Sequence, residues 1–241
     1  MTRLLIVDDS ELATDLLATS IRHDLRWEVV TVLRPDDVPA VLDPAQPFDL
    51  AVVDLSFPAS ELNGLDALLA VHNNLPRCRL VVYSQADAPF TRMLRDAWDA
   101  FDLATVLTKS MPIASVQRAL VEVDTHGRAA VDPVVRPKLP AERSPWRSLD
   151  GYGRLVEHAG HAKLWQALID LDDEPTYEEL AQHTGLKLSS VRNYRGELLA
   201  NLALHDLDRP KMRQMQAFAK RCRPLLEPHI RRKLARTGDG P

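Results

Sequence analysis

Short, unbroken apolar runs alternate with longer stretches of helical periodicity over the first half of the chain. Leu4-Leu5-Ile6-Val7, Leu50-Ala51-Val52-Val53 and Leu103 to Thr108 are each too short for a free-standing helix. Such runs predict strands buried on both faces, as in a parallel sheet. The helical patterns between them predict a repeated β-α unit and a doubly wound sheet. From about Val123 to Asp150 the periodicity fades and Pro133, Pro137, Pro140 and Pro145 follow at short intervals. Proline stiffens a chain and disfavours helix in the residue before it, so 123–150 reads as a semi-rigid linker.

The pattern then becomes wholly helical. One helix is expected from Leu155 to Leu171, with Leu164, Leu168 and Leu171 on one side. Thr176-Tyr177-Glu178-Glu179 is a capping box that opens a short helix ending before Gly185, a residue suited to a left-handed turn. Ser189 is expected to cap the next helix, whose inner stripe is Val191, Tyr194, Leu198 and Leu202. Helix, glycine turn and capped helix make a helix-turn-helix. The organisation predicted is an α/β unit over 1–122, the linker, a smaller all-α unit over 151–222, and a basic C-terminal helix and tail over 223–241, with Pro228 able to start that helix.

Charged groups stand at the ends of the apolar runs: Asp8 and Asp9 after the first, Asp54 after the second, Lys109 after the third. Working groups in doubly wound sheets lie beyond the carboxyl ends of the strands. Carboxylates brought within a few ångströms repel unless a hard cation joins them, and oxygen-only ligation suits Mg²⁺. A carboxylate beside a metal ion and a lysine can also attack a phosphoryl group.

This constellation resembles the receiver domain of bacterial two-component response regulators, a flavodoxin-like fold. Ile6-Val7-Asp8-Asp9-Ser10 is similar to the family's metal-holding acidic pair, and Val53 to Pro58 to its phosphoacceptor segment. The resemblance implies that Asp54 is phosphorylated and that Asp8, Asp9, Asp54 and the backbone carbonyl of Ser56 hold Mg²⁺. Val81-Val82-Tyr83-Ser84 is similar to the strand carrying the switch hydroxyl, and Leu107-Thr108-Lys109 to the strand carrying the phosphate-pairing lysine. Three positions depart from the pattern. Ala59 to Asn63 lengthens the loop before Gly64, Gln85 replaces a small residue, and Val106 stands where an aromatic switch residue is expected.

Composition refines this picture. The 241 residues suit two ordinary domains, and 45% hydrophobic with 27% charged residues excludes wholesale disorder. No apolar run approaches the roughly 18 residues of a membrane span, and the first strand begins too early for a signal peptide. Cys78 and Cys222 are far apart with no metal-ligand spacing, as expected of reduced thiols in a cytoplasmic protein. His158 and His161 lie three apart on a helix without further ligand-type partners in the sequence pattern. The net charge of −4 conceals an asymmetry. Up to Glu122 there are 10 Lys and Arg against 18 Asp and Glu, a net of −8; after it there are 20 against 16, a net of +4. A basic second half suits a polyanion, and a solvated charged face explains it equally well.

The second half supplies candidates for such a partner. Arg192, Asn193 and Arg195 are expected to face outward near the start of the last helix of the helix-turn-helix, with Lys187 and Ser190 beside them. Arginine and asparagine read guanine and adenine from the major groove. Ser190-Val191-Arg192-Asn193-Tyr194 with Leu198 and Leu202 resembles the recognition helix of LuxR-type regulators. In that family a further helix carries the dimer contact, and Lys211 to Arg221 stands in its place. Gly196 is either a site of close backbone approach or a tolerated weakness, and Arg231-Arg232-Lys233 supplies either phosphate contacts or a solvated tail. The two resemblances together imply a homodimeric response regulator that binds double-stranded DNA. It would be phosphorylated by a histidine kinase or a small phosphodonor, and would be no conventional enzyme. The alternatives are a helical unit that binds protein instead of DNA, and an atypical receiver controlled by a ligand or partner.

Overall fold

The computed structural model describes residues 1–85, 91–172 and 174–238. They divide into two units, Met1–Glu142 and Arg143–Pro241. In the first, β1 (Arg3–Val7), β2 (Glu28–Val32), β3 (Leu50–Val53), β4 (Arg79–Ser84) and β5 (Leu103–Thr108) form one parallel sheet in the order β2-β1-β3-β4-β5. This is the flavodoxin-like order, with its switch point between β1 and β3. The central strands are buried along nearly their whole length because helices cover both faces. These are α1 (Glu11–Asp24), the short α2 (Val38–Val41), α3 (Gly64–Asn74), α4 (Thr91–Ala100) and α5 (Ile113–His126). On one face Leu4, Ile6, Val52, Val81 and Leu107 meet Leu17 and Ile21 of α1 and Val116, Leu120 and Val123 of α5.

Ser10 caps α1, and Asn63 with Asp66 forms a capping box on α3. Both helices therefore start at defined positions just after the acidic strand ends. Gly127 ends α5 at φ +81°, a conformation that favours glycine.

The expected linker over 123–150 is corrected. Residues 123–126 belong to α5, and the chain that follows packs on the sheet edge as far as Leu139. Ala129 N donates to Ala104 O at 3.2 Å and Asp132 N to Val106 O at 2.9 Å. Thr105 Oγ1 donates to Ala130 O at 2.8 Å, and Arg95 Nε of α4 to Lys138 O at 2.9 Å. Val135 and Leu139 are buried. This strap covers the outer edge of β5, whose N–H and C=O groups would otherwise be open to pairing. It shows no periodicity because it is held at separate points by an irregular path.

The second unit opens with 3-10 turns at Pro145–Arg147 and Gly151–Leu155, followed by α6 (Ala159–Asp170), α7 (Tyr177–Thr184), α8 (Leu188–Ala203), α9 (Met212–Arg221) and α10 (Arg223–Gly238). The helix expected from Leu155 starts later because the His158 side chain caps it, accepting from the Gly160 and His161 amides. The expected basic tail is part of the core: α10 packs along α6 and buries Leu225, Leu226 and Ile230. Pro228 lies inside α10 and does not start it, and residues 239–241 lie outside the described residues. Trp165 is fully buried, its indole N–H donating to Leu155 O at 2.6 Å. Cys78 and Cys222 are buried and outside any disulfide, and burial pushes the Cys78 thiol up to about 12. Among the described residues no helix is long and apolar enough to cross a membrane.

His205 makes this second core sensitive to acid. Its ring is buried 4.9 Å from Tyr152 and 5.6 Å from Phe218. Burial first, and then the Arg147 charge, lowers it to about 4. A histidine depressed in the fold is neutral there, while the unfolded chain takes up its proton near pH 6.5. Stability present above pH 6.5 is therefore lost as pH falls towards 4, by about 3 kcal/mol in all. Urea denaturation of the second unit between pH 7 and 4 should show this loss, and His205→Phe should flatten it. An equal pH slope in the variant would assign the sensitivity to other groups.

Candidate functional site

The parallel ladder continues one residue beyond three strand ends. Asp8 N donates to Val32 O at 3.1 Å, Asp54 N to Val7 O at 2.8 Å, and Lys109 N to Ser84 O at 3.2 Å. These bonds hold the backbones of the three charged residues in the sheet's own frame. Their side chains converge. Lys109 Nζ lies 2.5 Å from Asp54 Oδ2 and 2.9 Å from Asp8 Oδ2. Ser84 Oγ donates to Asp54 Oδ1 at 2.6 Å, and so does the amide of Leu55, also at 2.6 Å. The half-buried Ser56 adds its amide to the same oxygen at 3.3 Å. Asp8 and Asp54 are each only 3% exposed, whereas Asp9 is open to solvent.

Burial raises the Asp8 carboxyl above its usual range, against the opposing bond from Lys109. On Lys109 burial is the largest single influence and pulls the ammonium down. Its bonds to Asp54 and Asp8, with their charges, outweigh burial and leave it raised. An oxygen from each of Asp8, Asp9 and Asp54 lies within 4.8 Å of the others. Three carboxylates against one ammonium leave two negative charges uncompensated, and the donors are all hard oxygens. That donor set fits a divalent hard cation such as Mg²⁺.

Gly64, the first residue of α3, is fitted against this site. Its amide donates to Leu55 O at 3.2 Å, and a Cβ at this position would lie 2.1 Å from the carbonyl oxygen of Asp54. The lengthened loop before it is ordered by Ser60, whose Oγ donates to Asp36 and accepts from Leu62 N. Gln85 is exposed, and Val106 is buried beneath the strap.

In the second unit α7, Gly185 at φ +66° and α8 form the expected helix-turn-helix, and the Thr176–Glu179 capping box is present. Lys187, in place of Ser189, occupies the N-cap position of α8. Val191, Leu198 and Leu202 are buried and Tyr194 half-buried, as the stripe requires. Lys187, Arg192 and Asn193 are exposed and Ser190 half-buried. Arg192 approaches Glu178 at 3.9 Å and lies over the Tyr177 ring.

Arg195 corrects the expectation. It is half-buried and donates from Nη2 to Pro210 O at 2.6 Å, joining α8 to the loop before α9. Four residues after Val191, it falls about 40° from the buried stripe at 100° per residue. It is on the inner side of the helix, not the outer one.

The sequence pattern missed a cluster on α6 and α8. His158 Nε2 and His161 Nε2 lie 3.2 and 3.1 Å from Glu197 Oε2. Although these three are ligand types, the geometry is that of a hydrogen-bonded clamp. His158 Nδ1 accepts two amides, so its proton is on Nε2 and points at Glu197. The ring centres are 3.8 Å apart, whereas two imidazoles on one tetrahedral ion stand roughly 5 Å apart. Only the packing of α8 beside α6 brings Glu197 to the histidines.

No protein-family model matches the chain, and no curated protein matches it. Among solved structures it is similar to the isolated REC domain of RcsB from Salmonella enterica serovar Typhimurium with phosphomimetic BeF3⁻, at 18% identity and a TM-score of 0.49, over 58% of this chain and 99% of that one. A two-component response regulator of the LuxR family from Aurantimonas sp. SI85-9A1 aligns at 20% identity and TM-score 0.48, over 57% and 95%. The Salmonella typhimurium RcsB response regulator aligns at 14% identity and TM-score 0.49, over 91% and 100%.

The close approach at Gly64 has a measurable consequence. Gly64→Ala forces α3 away from the Asp54 carbonyl and should destabilise the first unit by about 2–3 kcal/mol. Urea denaturation followed in that unit measures it. A loss below about 1 kcal/mol would show that the loop yields instead.

Proposed function

We propose that the chain is a response regulator in which phosphorylation of Asp54 governs a DNA-binding helical unit. The observation that carries this reading is the convergence of Asp8, Asp54, Ser84 and Lys109 at adjacent parallel strand ends. One Asp54 oxygen attacks the phosphorus of a phosphohistidine or acyl phosphate. An O–P bond forms as the donor's N–P or O–P bond breaks. Lys109 then pairs with one phosphoryl oxygen and Ser84 donates to another. Asp8, Asp9, Asp54 and the Ser56 carbonyl would hold Mg²⁺, which offsets phosphoryl charge when bound. The chemistry is confined to the protein's own phosphorylation and hydrolysis, so the output is binding, in a cytoplasmic protein that acts as a homodimer.

On the second unit, Lys187, Ser190, Arg192 and Asn193 form the DNA-facing set, and Arg195 leaves it. Lys233 donates to Glu157 O and Arg231 pairs with Glu227, while Arg232 is exposed. A protein-binding role for this unit is the second reading. It is favoured by Arg192, whose guanidinium already meets Glu178 and Tyr177.

Three measurements test these roles. Intact mass after treatment with acetyl phosphate and Mg²⁺ should show one phosphoryl adduct that Asp54→Asn abolishes; an adduct persisting in the variant removes Asp54 from its role. Asn193→Ala should lower affinity for a selected duplex by about 1–3 kcal/mol and hardly affect a random duplex. Arg195→Ala should instead lower thermal stability without changing sequence choice. Equal losses on both duplexes would make Asn193 a phosphate contact, and no loss on either would favour the protein-binding reading.

A further inference from the structure

The strap over β5 is joined to the acidic site by a single peptide unit. Lys109, which holds Asp54 and Asp8, directly follows Thr108, and Thr108 Oγ1 donates to Asp132 Oδ2. Asp132 is 4% exposed and is the hub of the strap. Its amide donates to Val106 O, its Oδ1 accepts from Val134 N at 2.8 Å, and its carbonyl accepts from Val135 N and Arg136 N. Beyond it, Val135 and Leu139 are buried and Arg95 of α4 holds the Lys138 carbonyl. The first unit ends three residues after Leu139, at Glu142.

We propose that residues 129–139 are the element through which the state of Asp54 is read, with Asp132 as the positioning residue that couples the strap to Lys109. This rests on the phosphoacceptor reading above. In the unmodified protein Lys109 is drawn onto two carboxylates. A phosphoryl group on Asp54 places new oxygens farther out, and Lys109 and Ser84 must follow them. Thr108 is covalently tied to that movement. Its hydroxyl also lies 2.9 Å from Ser110 Oγ, so it has a second partner when its bond to Asp132 gives way. Loss of that bond leaves a buried carboxylate short of a donor, a disfavoured state that loosens the whole hub. A strap that merely closes a sheet edge has no reason to respond to Asp54.

Hydrogen exchange read by mass spectrometry on the full chain tests this, with and without acetyl phosphate and Mg²⁺, beside the intact mass of the same samples. Strap peptides in the phosphorylated protein should exchange about tenfold faster, the effect of losing one charge-assisted hydrogen bond. Asp54→Asn should show no such change. Thr108→Val and Asp132→Asn should exchange faster at the start and respond far less, while still forming the adduct. A complete adduct with unchanged strap exchange overturns the proposal and leaves the phosphoacceptor reading intact. So does an undiminished response in both variants. Absence of the adduct overturns both readings together.

Discussion

The ion pairing of Lys109 with Asp8 and Asp54 is the constraint on which the first unit is arranged. Two carboxylates buried to this degree repel each other and are costly to desolvate, and removing one partner from such a group typically costs about 3–5 kcal/mol. The sheet makes the arrangement affordable by fixing the backbones first: the ladder runs past β1, β3 and β5 and leaves the side chains little freedom to lose. Around them the helix starts at Ser10 and Asn63 and the close contact of Gly64 hold the connecting loops. The same site is therefore preorganised and short of positive charge, the condition that favours a divalent hard cation.

The second unit solves a different problem. Its core is built around Trp165, Tyr152 and Phe218, and α10 closes it with Leu225, Leu226 and Ile230. The basic residues of α10 thus ride on a structural helix, some of them engaged by Glu227 and the Glu157 carbonyl. The His158–His161–Glu197 clamp and the Arg195–Pro210 bond fix α8 from both sides. The helix that carries Arg192 and Asn193 is thereby anchored at two points along its length.

The strap over β5 closes the sheet edge and lies one residue from Lys109 of the acidic site. An open edge strand invites pairing with another chain, and residues 129–139 occupy that edge with backbone bonds, a threonine hydroxyl and two buried apolar side chains. Because Asp132 also accepts from Thr108, the cover of the edge is bonded to the residue that precedes Lys109 in the chain.

Strand runs, the capping box at Thr176 and the turn at Gly185 were legible in the sequence because each depends on neighbours a few residues away. The acidic residues were legible too, since a parallel strand ending in a carboxylate delivers it to one edge of the sheet whatever the helices do. Arg195 was misread although its angle on the helix was available from its spacing; an arginine on the inner face is exceptional unless a backbone carbonyl such as that of Pro210 receives it. Other features depended on partners distant in sequence. Glu197 meets His158 and His161 only through helix packing, α10 counts as core only against α6, and the proline-rich stretch becomes a strap only because β5 offers unpaired carbonyls. Local pattern determines which elements form and where their ends lie. Which side chains meet across elements is decided by packing, where burial and hydrogen-bond satisfaction act between residues that no periodicity connects.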